Sequence, residues 1–292
     1  MNRKEFGMLV KALRSEVFIL PEGRQMTQED LAERIVHSTR TIGQIEQGDK
    51  RNLEPQIIAS LADAFGLTSM ERSAFYAAAA QVDIDPRSAV PGKPEDVLQM
   101  LLDAARNIQL PAWIYDSFYN VVAANTLMLK LSNAPDSLLE SGHDTIAGFN
   151  TLRYYFMDDT PFPEVLGPGW ERFAIRNVQH FRATSLQYRH TKRFEQIFNE
   201  LCGYARFKDF WSRTKYVGED IFYNWEGVNY HHPSYGPLTY IVSEVQTFTG
   251  QEDLFLVTYV PRDKQTVKVF QEMVSKFGAN MHRLADWPYA EK

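Results

Sequence analysis

The sequence predicts two domains of different class: an all-α N-terminal domain of five helices, then an α+β C-terminal domain with an antiparallel sheet and a helical insertion. Three observations favour this division. Apolar residues recur at helical spacing up to about residue 82, a proline-rich stretch follows, and strand patterns dominate the region after residue 220. A length of 292 residues is consistent with two domains.

Residues 27–48, TQEDLAERIVHSTRTIGQIEQG, predict two short helices joined by a tight turn. Thr27 and Asp30 can form a capping box at the start of the first helix. Ser38 can cap the second helix, and Gly48 can take the left-handed conformation that ends it. The isoleucines of the second helix point inward, whereas its polar side chains remain on or near the outer face. This is the helix-turn-helix arrangement, whose second helix lies in the DNA major groove.

Three further helices complete the predicted N-terminal domain. A first helix over residues 4–18 carries apolar residues at helical spacing. A fourth follows Pro55 and ends at Gly66, and Thr68 with Glu71 forms a second capping box that begins the fifth.

The stretch IDPRSAVPGKPED separates the two predicted domains. Proline fixes φ and removes a backbone donor, so this composition indicates a linker and not a continued helix. The predicted limits are residues 1–83 for the helix-turn-helix domain, 84–94 for the linker and 95–292 for the second domain.

The second domain begins with a predicted helix and a hairpin formed by AWIYD and NVVAAN. Residues 126–215 are predicted to be mostly helical and are rich in aromatic residues and arginine. Three strand patterns follow, and a corner at 250–253 pairs the last two as a hairpin. Leu254–Val257 has no polar face, which predicts a central strand covered on both sides. With a final helix at about 263–283, this is the element order of a PAS-like sensor fold.

Composition excludes several classes of protein. A formal net charge of −6 argues against binding nucleic acid by bulk electrostatics, so any DNA contact depends on local basic groups. The single cysteine, Cys202, excludes an intramolecular disulfide framework and fits a reducing cytoplasm. No signal peptide and no apolar run of membrane-spanning length is found, so a cytoplasmic protein without membrane contact is expected.

From Phe6 to Leu67 the N-terminal domain resembles the phage-repressor-like, xenobiotic-response-element (XRE) type of helix-turn-helix. In that family a Gln at the start of the first motif helix reaches the DNA backbone, and exposed residues of the recognition helix read base edges. Arg can donate two bonds to guanine and Gln can pair with adenine. The resemblance and the nearby basic groups give these candidate DNA-binding residues: Gln28, Ser38, Thr39, Arg40, Thr41, Gln44, Lys50 and Arg51. The alternative is that they are ordinary solvated residues of a small helical bundle.

Over residues 5–280 the chain also resembles the MmyB-like transcription regulators, on the motifs PAWIYDSFYNVVAAN, NTLRYYF and FKDFWSRTKYVG. The resemblance implies a ligand-responsive regulator that senses a small apolar molecule such as a fatty acid, with no other cofactor. Trp113 and Tyr115 depart from the smaller aliphatic residues expected in the first strand, which bears on the size of the ligand cavity.

Three polar residues are nearest to the expected cavity walls by sequence, namely Asn125, Arg153 and Arg176. An ordinary structural hydrogen bond is the alternative for each of them. The expected partners are a double-stranded DNA operator, the apolar ligand and a second copy of the chain, because helix-turn-helix proteins usually bind two half-sites as dimers.

Metal binding and catalysis are not expected. His231 and His232 are adjacent in a predicted strand and therefore point to opposite faces, so they cannot chelate together. No phosphate-binding glycine loop and no nucleophile motif occurs. Two alternatives stay open: a C-terminal domain that docks a peptide or protein, and, less favoured, an enzyme with a fused DNA-binding domain.

Overall fold

The computed structural model describes residues 1–19, 23–50, 52–81, 93–133, 149–214, 227–247 and 253–288. The chain forms two compact units. Unit 1 comprises Met1–Ser88, Val178–Asn199 and Asp209–Asp220, and unit 2 comprises Ala89–Asn177, Glu200–Lys208 and Ile221–Lys292. Most of the predicted linker, 84–94, lies outside the described residues, so the predicted domain limits stay predictions.

Unit 1 begins with the five predicted helices. Between the first two lies a small hairpin, β1 and β2, that the sequence did not predict because each strand has two residues, too few for a period-two pattern. The elements are α1 (Arg3–Glu16), β1 (Phe18–Ile19), β2 (Arg24–Gln25), α2 (Gln28–Arg34), α3 (Thr39–Gln47), α4 (Pro55–Ala64) and α5 (Ser69–Gln81).

Close packing of α1 on α3 fixes the position of the recognition helix. Gly7 of α1 allows this approach, since a Cβ atom there would lie 2.5 Å from the carbonyl oxygens of both Ile45 and Glu46. Ile42 and Ile45 are buried in the same apolar cluster as side chains of α1 and α2, which agrees with the prediction that they point inward. The apolar interior of unit 1 therefore holds α3 by its inner face and leaves the outer face to solvent.

Later residues of the chain complete the core of unit 1. Leu186, which is fully buried, belongs to the same apolar cluster as the side chains of α1–α5. It lies in a 3₁₀ turn, Leu186–Tyr188, that follows the helix Trp170–Thr184. The segment 178–199 thus belongs to the predicted second domain by sequence but to unit 1 by contacts.

Unit 2 contains an antiparallel sheet of six strands in the order β5-β6-β7-β3-β4-β8. The predicted hairpin β3–β4 and the pairing of β6 with β7 are confirmed. The final helix ends before the predicted 283, and a short strand, β8, follows it and pairs with β4. The strands are β3 (Ala112–Asp116), β4 (Val121–Asn125), β5 (Val228–His232), β6 (Gly236–Gln246), β7 (Leu254–Pro261) and β8 (Met281–Arg283).

The helices that follow the predicted linker belong to unit 2, to unit 1 or partly to each. They are α6 (Pro94–Ala105), α7 (Thr126–Ser132), α8 (Thr151–Phe156), α9 (Phe162–Leu166), α10 (Trp170–Thr184), α11 (Lys192–Cys202), α12 (Ala205–Thr214) and α13 (Lys264–Phe277), with a 3₁₀ turn at Gly167–Gly169. No helix of the described residues is long and apolar enough to span a bilayer.

The two faces of the central strands carry different side chains. The strand β7 pairs with both β6 and β3, and Leu254–Val257 is buried throughout, as predicted. Ile114 lies opposite Leu256, and both pack in an aliphatic cluster with Leu98 and Leu101 of α6. Side chains alternate along a strand, so the neighbours of these residues form the opposite face, which is aromatic.

Candidate functional site

The outer face of α3 presents polar side chains to solvent. Ser38 caps the helix by accepting a hydrogen bond from the backbone N–H of Thr41 at 3.1 Å. Thr39 and Arg40 are exposed, and Gln44, one turn later, is half-buried. Together with Thr41 these residues form one patch, which we call the α3 face, with side chains of the types that bind base edges and phosphates.

A buried ion pair fixes α3 against α1 and α2. Glu46, which is 8% exposed, accepts hydrogen bonds from Nε of Arg14 at 2.6 Å and from Nε2 of Gln28 at 2.7 Å. Gln28, predicted to reach the DNA backbone, is therefore held at the junction of α2 and α3. Lys50 is half-buried just beyond α3, and Arg51 lies outside the described residues.

The turn between α2 and α3 contains a strained residue. Val36 adopts φ of 56°, a left-handed conformation that β-branched residues rarely take. Its side chain is 88% exposed, so no packing of that side chain explains its presence. The strain is local to the turn that sets the angle between the two helices.

The aromatic face of the sheet forms the second candidate site, which we call the tyrosine-lined site. Tyr240 and Tyr259 stack with ring centroids 4.4 Å apart, and Tyr115 stacks on Phe255 at 5.4 Å. All ring-bearing members of the site are less than 10% exposed. The site comprises Trp113, Tyr115, Tyr119, Tyr155, Tyr240, Phe255 and Tyr259, and the two residues that depart from the family pattern, Trp113 and Tyr115, lie on its floor.

Helices α8 and α10 bring further groups to this face. Tyr155 of α8 is hydrogen-bonded to the hydroxyl of Tyr259, and its ring meets that of Phe173 of α10 at 4.9 Å. The guanidinium of Arg176, one turn along α10, lies 5.9 Å from the Phe173 ring. The site therefore combines buried aromatic surface with phenol hydroxyls and one half-buried cation.

Two opposite charges act on the two ends of the site. Tyr115 donates a hydrogen bond of 2.5 Å to Glu244, within the range of charge-assisted bonds. Burial and the Glu244 charge raise the pKa of Tyr115 well above its ordinary value. Burial also raises the pKa of Tyr259, to about 12, whereas the Arg176 charge acts to lower it. The Glu244 charge therefore acts on Tyr115, the Arg176 charge acts on Tyr259, and both charges act on the pKa of Tyr119.

Tyr119 enters the site from a strained turn. Its φ is 69°, and it lies in the β3–β4 hairpin beside Asp116, whose carboxylate accepts hydrogen bonds from the backbone N–H groups of Phe118 and Asn120. The ring stacks on Tyr115 at 4.9 Å. Residues in left-handed conformations cluster at functional sites, which makes this tyrosine a candidate functional residue.

The predicted ligand residues lie in different surroundings. Asn125 is fully buried, and its side chain bonds to the backbone N–H groups of Ala112 and Met128 and to the carbonyl of Leu110. It is thus a structural cap of α7. Arg153 is half-buried on α8, and Arg176 acts electrostatically on Tyr119, Tyr240 and Tyr259. Only Arg176 is brought to the tyrosine-lined site by the contacts above.

Sequence reasoning missed most of the tyrosine-lined site. The sequence feature that could have indicated this site is the alternation of side chains along β3, β6 and β7. Once the register of these strands is known, this alternation places Tyr115, Tyr240 and Tyr259 on one face of the sheet. The register itself could not be derived, because β3 and β7 are separated by the whole helical insertion.

The two adjacent histidines and the single cysteine of the sequence can also be located in the structure. His231 is exposed and His232 is buried, so the two side chains lie on opposite faces of β5. Among the described residues no group of three His, Cys, Asp or Glu side chains is placed to hold a metal ion. Burial raises the pKa of the Cys202 thiol to about 11, which leaves little thiolate at neutral pH.

Comparison with protein families gives two matches along the chain. Residues 22–71 match a helix-turn-helix domain, and residues 95–273 match the MmyB-like transcription regulator ligand binding domain. No curated protein sequence matches the chain. The two matched domains are those of a DNA-binding regulator with a ligand-binding domain. Since the second match covers more than half of the sequence, the chain belongs to the MmyB-like transcription regulators.

Proposed function

We propose that the protein binds a palindromic operator through the α3 face and an elongated apolar carboxylate, such as a fatty acid, at the tyrosine-lined site, and that the ligand changes its affinity for DNA. The observation that carries the ligand proposal is the Arg176 cation, which lies 5.9 Å from the Phe173 ring and acts electrostatically on Tyr119, Tyr240 and Tyr259, within a mainly aromatic surface. Ligand pockets are mainly apolar with a few placed polar groups.

The carboxylate would bind at the Arg176 end of the site. A guanidinium can donate two parallel hydrogen bonds to a carboxylate, and phenol hydroxyls add neutral donors. The Glu244 carboxylate, which accepts the hydrogen bond from Tyr115, would repel the carboxylate of the ligand. This repulsion favours the orientation in which the ligand carboxylate lies near Arg176. The tail would lie along the aromatic face, where each buried methylene contributes about 0.8 kcal/mol.

Calorimetry on delipidated protein with octanoate, laurate and palmitate tests this proposal. Affinity should rise steeply with chain length until the site is full and then fall as overpacking begins. Arg176→Met should weaken binding by about tenfold or more, because the carboxylate loses its charge-assisted bonds. Arg106→Met, which replaces an exposed arginine of unit 2 that pairs with Asp103, is the control and should bind as the wild type does. A flat response to chain length would instead favour a domain that docks a peptide or protein partner.

The DNA half of the proposal needs two copies of the chain. Half-sites on B-DNA recur at about 34 Å, so a homodimer would place two α3 helices in successive turns of the major groove. Selection of bound duplexes from a random pool, with ultracentrifugation of the protein, tests both statements. Enriched duplexes without two-fold symmetry, bound by a monomer, would contradict the dimer.

A further inference from the structure

Four charged side chains meet in the interior of unit 1. Oε1 of Glu71 lies 2.9 Å from Nη2 of Arg182 and 3.1 Å from Nη2 of Arg189. Arg189 also pairs with Glu16 through Nη1 at 2.6 Å. The side chains of Glu71, Arg182 and Arg189 are at most 1% exposed. We call these four residues the buried ion cluster.

Glu71 has two roles in this cluster. Its other oxygen, Oε2, accepts the backbone N–H of Thr68 at 3.1 Å and so caps α5, as the sequence predicts. Burial acts to raise the pKa of Glu71, but the charges of Arg182 and Arg189 outweigh burial and hold its pKa below the ordinary value. A single carboxylate therefore caps a helix of unit 1 and pairs with two arginines from later in the chain.

The arginines of the cluster are incompletely hydrogen-bonded. Nε and Nη1 of Arg182 and Nε of Arg189 are buried without a hydrogen-bond partner among the described residues. Both guanidinium groups lie against the Trp211 ring, with centroid distances of 4.5 Å and 4.8 Å. Buried donors without partners are costly, so this arrangement is less stable than a fully bonded one and rearranges at a smaller cost.

The cluster joins parts of the chain that carry different functions. Glu16 and Glu71 come from α1 and α5, whereas Arg182 is in α10. The same helix carries Phe173 and Arg176, the two residues that contact or act on members of the tyrosine-lined site. Arg176 and Arg182 are separated by about 9 Å along the axis of one continuous helix. A shift or rotation of α10 that accompanies a contact to Arg176 also displaces Arg182.

We infer that the buried ion cluster couples ligand binding to the DNA-binding helices: Arg182 transmits the position of α10 to Glu71, and through Glu71 to α5. The inference rests on the proposed function and adds its mode of regulation. Arg189 lies outside α10 and has a secondary role: it joins the Glu71 carboxylate to Glu16, and its Nη2 also donates a hydrogen bond of 3.0 Å to the backbone carbonyl of Arg182.

The first experiment uses no ligand. Hydrogen exchange of α5 is measured in the wild type and in Arg182→Met and Arg189→Met, each of which leaves Glu71 one arginine and its cap on α5. Both variants should exchange roughly tenfold faster in α5, because local opening costs less when one ion pair is lost. Asp209→Asn, which removes an exposed ion pair with Arg213 elsewhere in unit 1, is the control and should leave α5 unchanged. Unchanged exchange in both arginine variants would overturn the role of the cluster.

The second experiment measures the ratio of operator dissociation constants with and without palmitate. Typical coupling changes affinity by about 5- to 150-fold, and the wild type should fall in that range. Arg182→Met should bring the ratio close to one while calorimetry shows palmitate still bound. Arg189→Met should retain most of the ratio, because Arg182 still pairs directly with Glu71, although α10 loses the hydrogen bond from Arg189 to the Arg182 carbonyl.

The two variants distinguish regulation from stability. A purely structural cluster would make Arg182→Met and Arg189→Met behave alike, and equal ratios in the two would therefore overturn the inference. A wild-type protein that does not bind palmitate would contradict the proposed ligand instead, while the exchange measurement, made without ligand, still decides whether the cluster stabilises α5.

Discussion

The α3 face and the tyrosine-lined site differ in where their polar groups lie. On the α3 face, Thr39 and Arg40 point into solvent from a helix whose position is fixed from behind. In the tyrosine-lined site, Tyr115 and Tyr259 are buried and already bonded to protein groups. The first surface is ready to meet a large, hydrated partner, whereas the second suits a ligand that replaces contacts among side chains.

In the two regions, the residues that are proposed to bind a partner contribute to the stability of the fold to different extents. Thr39 and Arg40 of the α3 face can be changed with little effect on folding, because their side chains are exposed until DNA binds. A tyrosine of the tyrosine-lined site, in contrast, would contribute to both folding and ligand binding.

The largest effect is expected from alkaline pH, which should destabilise the fold by ionising the buried tyrosines of the tyrosine-lined site. Burial raises the pKa of Tyr259 to about 12 and that of Tyr115, Tyr119, Tyr155 and Tyr240 well above the ordinary value of 10.0. A raised pKa means that the neutral tyrosines stabilise the fold fully below pH 10 and lose that contribution as the pH rises through their folded values. Unit 2 should therefore unfold cooperatively near pH 12. Ultraviolet absorbance of the phenolates and circular dichroism should change together, and complete ionisation near pH 10 with the fold intact would contradict it.

Gly7→Ala should disrupt the support of the α3 face. The new methyl group would lie 2.5 Å from two backbone carbonyl oxygens of α3, which must move to accept it. Overpacking of this kind costs about 1–3 kcal/mol, and the shift of α3 should also weaken DNA binding. Chemical denaturation and operator titration measure the two effects. Equal stability of wild type and variant would show that α1 and α3 are less tightly packed.

These two regions also differ in how far the sequence could predict them. The caps at Thr27, Ser38 and Gly48 are local, so the helices and the exposed positions of α3 follow from spacing alone. The tyrosine-lined site depends on pairing between strands far apart in the chain, which spacing does not determine. The buried ion cluster is also non-local: Glu71 was predicted as a cap, and its arginine partners lie more than a hundred residues later.

Arg40→Ala and Gln44→Ala should separate binding from folding on the α3 face. Each should weaken operator binding by about 1–3 kcal/mol and relax base choice at one position per half-site. Stability should change by less than about 0.5 kcal/mol in Arg40→Ala, whose side chain is exposed, and by at most about 1 kcal/mol in Gln44→Ala, whose side chain is half-buried. Lys50→Ala should instead weaken all duplexes alike, as a phosphate contact does. Footprints and melting curves decide between the two patterns, and unchanged operator affinity in both α3 variants would refute the assignment of the face.

Gly43→Ala should produce opposite effects on folding and binding. Gly43 lies within α3, and a Cβ atom there would meet no protein atom within 4 Å. Alanine stabilises a helix interior by about 1 kcal/mol relative to glycine, so the melting temperature should rise. Gly43 is adjacent to Gln44 and three residues after Arg40, where glycine permits close approach of a bound partner. Operator affinity should therefore fall, in contrast with Gly7→Ala, which lowers both quantities. A rise in stability without any loss of affinity would show that DNA does not approach the helix at this position.

The smallest effect is expected from Val36→Gly in the turn before α3. Glycine adopts the φ of 56° without steric strain, and the relief should exceed the added entropy of the unfolded chain. Stability should rise by up to about 1 kcal/mol, while operator affinity stays the same because the turn geometry is preserved. Val36→Ala, which keeps a Cβ atom in the left-handed conformation, should gain much less. If the glycine variant is no more stable than the alanine variant, the left-handed turn stores little strain, and the angle between α2 and α3 is set by the Glu46 contacts with Arg14 and Gln28 alone.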